Sequence, residues 1–140
     1  MKVLLIDGEA IIVTYNELLL NDFFPDIETF STTNDAIAKE KLHTEKFDLV
    51  IQDLNRKGIS DGKDLADFIV SSKLNCPILF FSAMHLYVIF EVFPDFLDHN
   101  WFYLQKPSKP SSIIFQVSKI LSLKPNINAT KNHFQQARRF

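Results

Sequence analysis

Asp48-Leu49-Val50-Ile51-Gln52-Asp53 is apolar at three consecutive positions and closes on a carboxylate. A strand with one wet face alternates apolar and polar residues, whereas a run apolar at adjacent positions must be covered on both faces. That is the mark of a parallel sheet with helices on each side. Val3-Leu4-Leu5-Ile6-Asp7, Pro77-Ile78-Leu79-Phe80-Phe81-Ser82 and Trp101-Phe102-Tyr103-Leu104-Gln105-Lys106 have the same character. The more neutral Asp26-Ile27-Glu28-Thr29-Phe30-Ser31 comes second in chain order.

Between these strands the spacing turns helical. From Ala10 to Asn21, Ile11, Tyr15, Leu18 and Leu19 are expected on one buried face, and Pro25 forces an end by pushing the residue before it out of the helical region. Thr33 or Asn34 can cap a second helix through about His43. A third over Asp61 to Ser72 should bury Leu65, Phe68 and Ile69. Pro110 suits the first turn of a last helix to about Leu123, with Ile113, Ile114, Val117, Ile120 and Leu121 apolar. Leu86 to Phe93 is rich in β-branched and aromatic residues, which favour strands. Its place between the fourth and fifth strands nevertheless demands a crossover helix, apolar nearly all round, with some apolar residues facing outward as a contact surface.

Strand and helix alternate five times. Right-handed crossovers make this an α/β, doubly wound five-stranded parallel sheet in order 2-1-3-4-5. Its ligand crevice lies outside the carboxyl ends of the strands where the order reverses, between strands one and three. Asp7 and Asp53 end those two strands, and Ser82 and Lys106 end the fourth and fifth.

The 140 residues suffice for one domain. An apolar content of 46% with fourteen Phe excludes a disordered chain. Cys76 is the single cysteine, so no internal disulfide forms, and its place before Pro77 suggests a buried, inert thiol. No run approaches the ~20 apolar residues of a membrane helix and no secretory leader is read, so a cytoplasmic location is expected. All seventeen acids lie at or before Asp98, and from Lys124 onward there are four cations and no acid. Residues 1–123 are therefore expected to form the domain and 124–140 a flexible basic tail. Without interleaved aromatic order, four cations do not argue for direct nucleic-acid binding.

Two carboxylates held together favour a shared proton or a bound cation. Hard divalent ions such as Mg²⁺ take oxygen ligands and bridge carboxylates to phosphoryl oxygens. An aspartate beside such a cation and a lysine can attack a phosphoryl donor, while a hydroxyl donates to an equatorial oxygen. Asp53, Asp7, Lys106 and Ser82 supply these parts.

Leu4-Leu5-Ile6-Asp7-Gly8-Glu9, Phe47 to Leu54, Asp61-Gly62-Lys63-Asp64-Leu65, Cys76 to Ala83 and Tyr103-Leu104-Gln105-Lys106-Pro107 resemble the receiver domain of two-component response regulators. The resemblance runs from about Met1 to Leu123 and implies a flavodoxin-like fold. It implies that Asp53 accepts a phosphoryl group from a histidine kinase or phosphotransfer protein. It further implies that Ser82 and Lys106 contact that group, and that Tyr103 is the aromatic that reports phosphorylation. Asp7, Asp53 and the main-chain carbonyl of Asn55 would hold Mg²⁺. Three features depart from the family pattern. Gly8 stands where a second acidic residue is usual, weakening the cation site unless Glu9 reaches back. The loop Leu54-Asn55-Arg56-Lys57-Gly58-Ile59-Ser60 lacks the usual proline and is one residue longer. The stretch from Ser82 to Lys106 is about two residues longer, which would displace or distort the fourth helix.

The leading expectation is a stand-alone receiver, not an enzyme in the ordinary sense. It would signal through its fourth helix, fifth strand and fifth helix to a separate downstream protein, or through a homodimer at the fourth helix. The alternative is a degenerate receiver-like interaction module, poorly phosphorylated because Gly8 replaces a carboxylate. A flavin-binding fold would need a Ser/Thr/Gly-rich loop after the first strand, and Gly8-Glu9-Ala10-Ile11-Ile12 is acidic and apolar instead. A phosphatase with an aspartate nucleophile would want a second Asp at position 9, where Glu stands.

Overall fold

β1 (Lys2–Ile6), β2 (Glu28–Thr32), β3 (Leu49–Gln52), β4 (Ile78–Ser82) and β5 (Trp101–Gln105) form one parallel sheet in order β2-β1-β3-β4-β5. This is the sheet expected above, a flavodoxin-like three-layer arrangement. The computed structural model describes residues 1–54 and 59–129, with the backbone alone for 59–61. α1 (Ala10–Phe23) and α5 (Pro110–Leu121) cover one face; α2 (Asp35–Thr44), α3 (Ile59–Ser71) and α4 (Leu86–Val92) cover the other.

Consecutive strand residues divide between the two cores. Leu4, Ile6, Val50, Ile78 and Phe80 face α2, α3 and α4, and Val3, Leu5, Leu49, Ile51 and Leu79 face α1 and α5. Removing each such side chain from water is worth about 1.5–3 kcal/mol, so β3 is held firmly at both faces. The register pairs Ile6 with Gln52, Gln52 with Phe80, and Ser82 with Gln105. Asp7 and Asp53 therefore leave neighbouring strands at one level, and the Asp53 N–H donates to the Ile6 carbonyl at 3.1 Å.

Helix ends follow local chemistry. Of the two candidate caps for α2, Asn34 is the one used: its side chain accepts from the Ile37 N–H at 3.0 Å. Pro110 opens α5. The expected face of α1 is wrong. The helix buries Val13, Asn16, Leu19 and Leu20, and leaves Ile11 75% and Leu18 59% exposed. Its apolar residues extend nearly round the helix, so periodicity alone admits several faces. The choice is made by the entry, where Asp7 Oδ1 accepts from the Glu9 N–H and the Glu9 carbonyl receives the first helical bonds.

α4 is a helix despite its strand-favouring residues, because it must cross between parallel strands. It is short, and Tyr87 is exposed while Ile89 is fully buried. The extra length before β5 is taken up by a 3₁₀ turn, Phe96–Asp98. Phe96 joins Phe80, Phe93 and Trp101 in a cluster of tilted and edge-on rings 5.1 to 5.8 Å apart. His99 stacks on Trp101 at 4.2 Å and pairs with Asp95 at 2.7 Å, closing the turn. Cys76 is half-buried, and desolvation pushes its thiol up to about 12, so it stays neutral. Beyond α5 the chain doubles back: the Asn126 N–H donates to the Phe23 carbonyl at 2.7 Å and Ala129 is buried. The expectation of a flexible tail otherwise falls on residues 130–140, outside the described ones.

Candidate functional site

At the carboxyl ends of the strands, the Lys106 ammonium lies between two carboxylates. Its Nζ is 2.6 Å from Asp7 Oδ2 and 3.2 Å from Asp53 Oδ2. Ninety-nine and fifty-three residues of chain separate these partners from Lys106, and the sheet order alone brings them together. The Lys106 N–H donates to the Ser82 carbonyl at 2.8 Å, extending the β4–β5 ladder by one step and seating the side chain over the pocket. The Phe81 ring centroid lies 5.1 Å from the ammonium, a cation–π contact.

Burial opposes a charge on Lys106. The hydrogen bond to Asp7 and the charges of Asp53 and Asp7 together outweigh it, and the ammonium is held above its ordinary 10.5. Two carboxylates and one ammonium leave the cluster with one net negative charge. The donors are oxygens only, which suits a hard divalent cation that keeps most of its water. On charge and donor chemistry Asp7 and Asp53 fit such an ion. Among the described residues, no three His, Cys, Asp or Glu side chains converge as a ready-made ligand set. Glu9 is exposed at the start of α1 with its side chain unused as a cap, and Gly8 beside it is exposed too. Asn55, with Arg56 and Lys57, lies outside the described residues.

Ser82 is fully buried and its Oγ accepts from the Met84 N–H at 3.3 Å. Tyr103 is half-buried, and its hydroxyl donates to the Met84 carbonyl. Desolvation raises its pKa above 10, so the phenol stays a donor. Gln105 Nε2 meets His85 Nδ1 at 3.1 Å. The segment after Ser82 is thus tied both to the pocket and to β5.

Three residues escaped the reading of the sequence. Phe81 passed as one more apolar strand residue. Asn16 passed as a polar position on a helix whose buried face was misjudged, yet it is only 6% exposed and lies under the pocket. Gly62 stood in a quoted motif without a reason. A Cβ placed there would lie 2.6 Å from Leu54 Cα and 2.8 Å from the Leu54 carbonyl oxygen, so only glycine lets α3 approach the residue after Asp53.

No family model matches the sequence, and neither does any curated protein. Solved structures do. A response regulator receiver protein from Sinorhizobium medicae WSM419 matches with a TM-score of 0.71 and 26% identity, over 87% of this chain and 94% of that one. One from Burkholderia phymatum matches with a TM-score of 0.72 and 20% identity, over 90% and 98%. The response regulator TrrA from Thermotoga maritima, solved in complex with Mg²⁺ and BeF, matches at 0.69 and 22%, over 85% and 97%. In its fold, this chain is similar to response-regulator receiver domains.

Proposed function

We propose that the chain acts in two-component signalling by accepting a phosphoryl group on Asp53 from a histidine kinase or phosphotransfer protein. The observation that carries the reading is the Lys106 ammonium held at 2.6 Å from Asp7 and 3.2 Å from Asp53 at the switch point of the sheet. An Asp53 carboxylate oxygen attacks phosphorus, the bond from phosphorus to the donor breaks, and the donor leaves with that electron pair. Lys106 turns from Asp53 to the equatorial oxygens, and the Ser82 hydroxyl donates to one of them. Mg²⁺ held by Asp7 and Asp53, with the Asn55 carbonyl and Glu9, would neutralise phosphoryl charge. Tyr103 carries the change outward, because its hydrogen bond to Met84 spans the segment that follows Ser82. The receiver of the signal is a separate protein, or a second copy through the exposed residues of α4. The setting is the cytoplasm, and among the described residues no helix is long and apolar enough to cross a membrane.

The test is incubation with acetyl phosphate and Mg²⁺ followed by intact mass. One added phosphoryl group, absent in Asp53→Asn, is the expected result; no adduct at any Mg²⁺ concentration overturns the reading. That outcome would favour a second one, a receiver-like interaction module, for which the exposed Gly8 beside Asp7 speaks. The two readings also part on Gly8→Asp. If the pocket works through a cation, the added carboxylate should tighten Mg²⁺ binding about tenfold by calorimetry. Unchanged binding would mean that position 8 lies outside the cation's reach.

A further inference from the structure

Beneath the pocket, between α1 and the sheet, lies a small cavity with about 10 Å³ of room for the centre of a water molecule. Asp7, Asp53 and Asn16 line it, with Val13, Leu5 and Phe81 among its apolar walls. Asn16 is 6% exposed, and among the described residues no hydrogen bond reaches its side chain. Buried amides are commonly satisfied by one ordered water with two to four polar neighbours, in a space of roughly this size. The polar residues here are Asn16, the two aspartates and Gln52. We propose that Asn16 holds a single ordered water in this cavity and, through it, fixes the Asp7 and Asp53 carboxylates from below. Asn16 is then a positioning residue, supplying from α1 a constraint on the pair that Gly8 cannot.

A lone packing defect would behave differently. Filling it with an apolar side chain would leave the carboxylates as they were, and the protein would gain stability and lose nothing. A water bridge makes the carboxylates depend on the amide, as groups behind a metal's ligands generally do, with effects of 10–100-fold on metal affinity.

The experiment has two arms. The first is a high-resolution crystal structure of the full chain, in which a water within hydrogen-bond distance of the Asn16 amide and of an Asp7 or Asp53 oxygen is expected. Density without a water there overturns the proposal. The second is calorimetry with Mg²⁺ on Asn16→Leu, on Asn16→Val in case leucine is too bulky to fold, and on Asn16→Ser. The apolar variants should bind Mg²⁺ about tenfold more weakly with no loss of melting temperature. The serine variant, which keeps a donor, should stay near the wild type. Wild-type affinity in a folded apolar variant overturns the positioning role. This arm rests on the reading that the pocket takes a divalent cation. Were the wild type itself to bind no Mg²⁺, that reading would fall, and the crystallographic arm would still decide the water.

Discussion

Lys106→Met is expected to lower the stability of the domain by roughly 2 kcal/mol at neutral pH and to cut phosphoryl-adduct formation by about 10²-fold or more. The side chains of Asp7 and Asp53 are only 10% and 13% exposed, so removing the ammonium leaves two facing carboxylates with little solvent to screen them. Breaking a fully buried pair costs about 3–5 kcal/mol, and the partial exposure of this one brings the figure down. Mg²⁺ should behave in the opposite sense. The variant pocket carries two net negative charges instead of one, so the ion should bind it more tightly and restore more stability than in the wild type. The pH dependence has a definite sign. Because the folded pKa of Lys106 is raised above 10.5, its contribution is complete below the unfolded value and disappears as pH climbs through the raised one. Denaturant titrations of both proteins should differ at neutral pH and converge in the alkaline range above 10.5. Equal stability at neutral pH, or unaltered Mg²⁺ affinity, would show that the lysine does not hold the carboxylates together in solution.

Gly62→Ala should destabilise by about 2–3 kcal/mol, against the ordinary preference of helices for alanine. In an open helix the exchange gains up to about 1 kcal/mol. Here the new methyl meets Leu54 Cα at 2.6 Å, its carbonyl oxygen at 2.8 Å and its Cδ2 at 2.9 Å. Two of these are backbone atoms that no rotamer change can move, and Leu54 is fully buried. Either α3 lifts from the sheet or the end of β3 shifts, at the cost of overpacking a filled core. Leu54 follows Asp53 directly, so adduct formation should also fall, even at temperatures where the variant is fully folded. A variant as stable as the wild type in a denaturant melt, with normal adduct yield, would mean that the two backbones have slack between them.

The sheet could be derived from particular residues. Leu49-Val50-Ile51 and Ile78-Leu79-Phe80-Phe81 are apolar at adjacent positions because each neighbour serves a different core, and two cores imply parallel strands between helix layers. From that and the handedness of crossovers the order β2-β1-β3-β4-β5 follows, and with it the placing of Asp7, Asp53, Ser82 and Lys106 at one edge. Pro110 and Asn34 marked helix starts through rules that act within a few residues.

α1 marks where such rules stop. Its sequence is apolar on more than one side, and the buried face depends on how the chain leaves β1 through Asp7 and Glu9. With the face misjudged, Asn16 could not be seen under the pocket, and the closeness of Gly62 to Leu54 could not be read from either residue. Residue pattern and spacing were enough for the architecture and for bringing Asp7, Asp53, Ser82 and Lys106 to one edge, since both rest on burial and chain direction. The separations of 2.6 and 3.2 Å around Lys106, the buried amide and the backbone contact at Gly62 arise where separate elements meet. They are set by packing, which has no periodic signature along the chain.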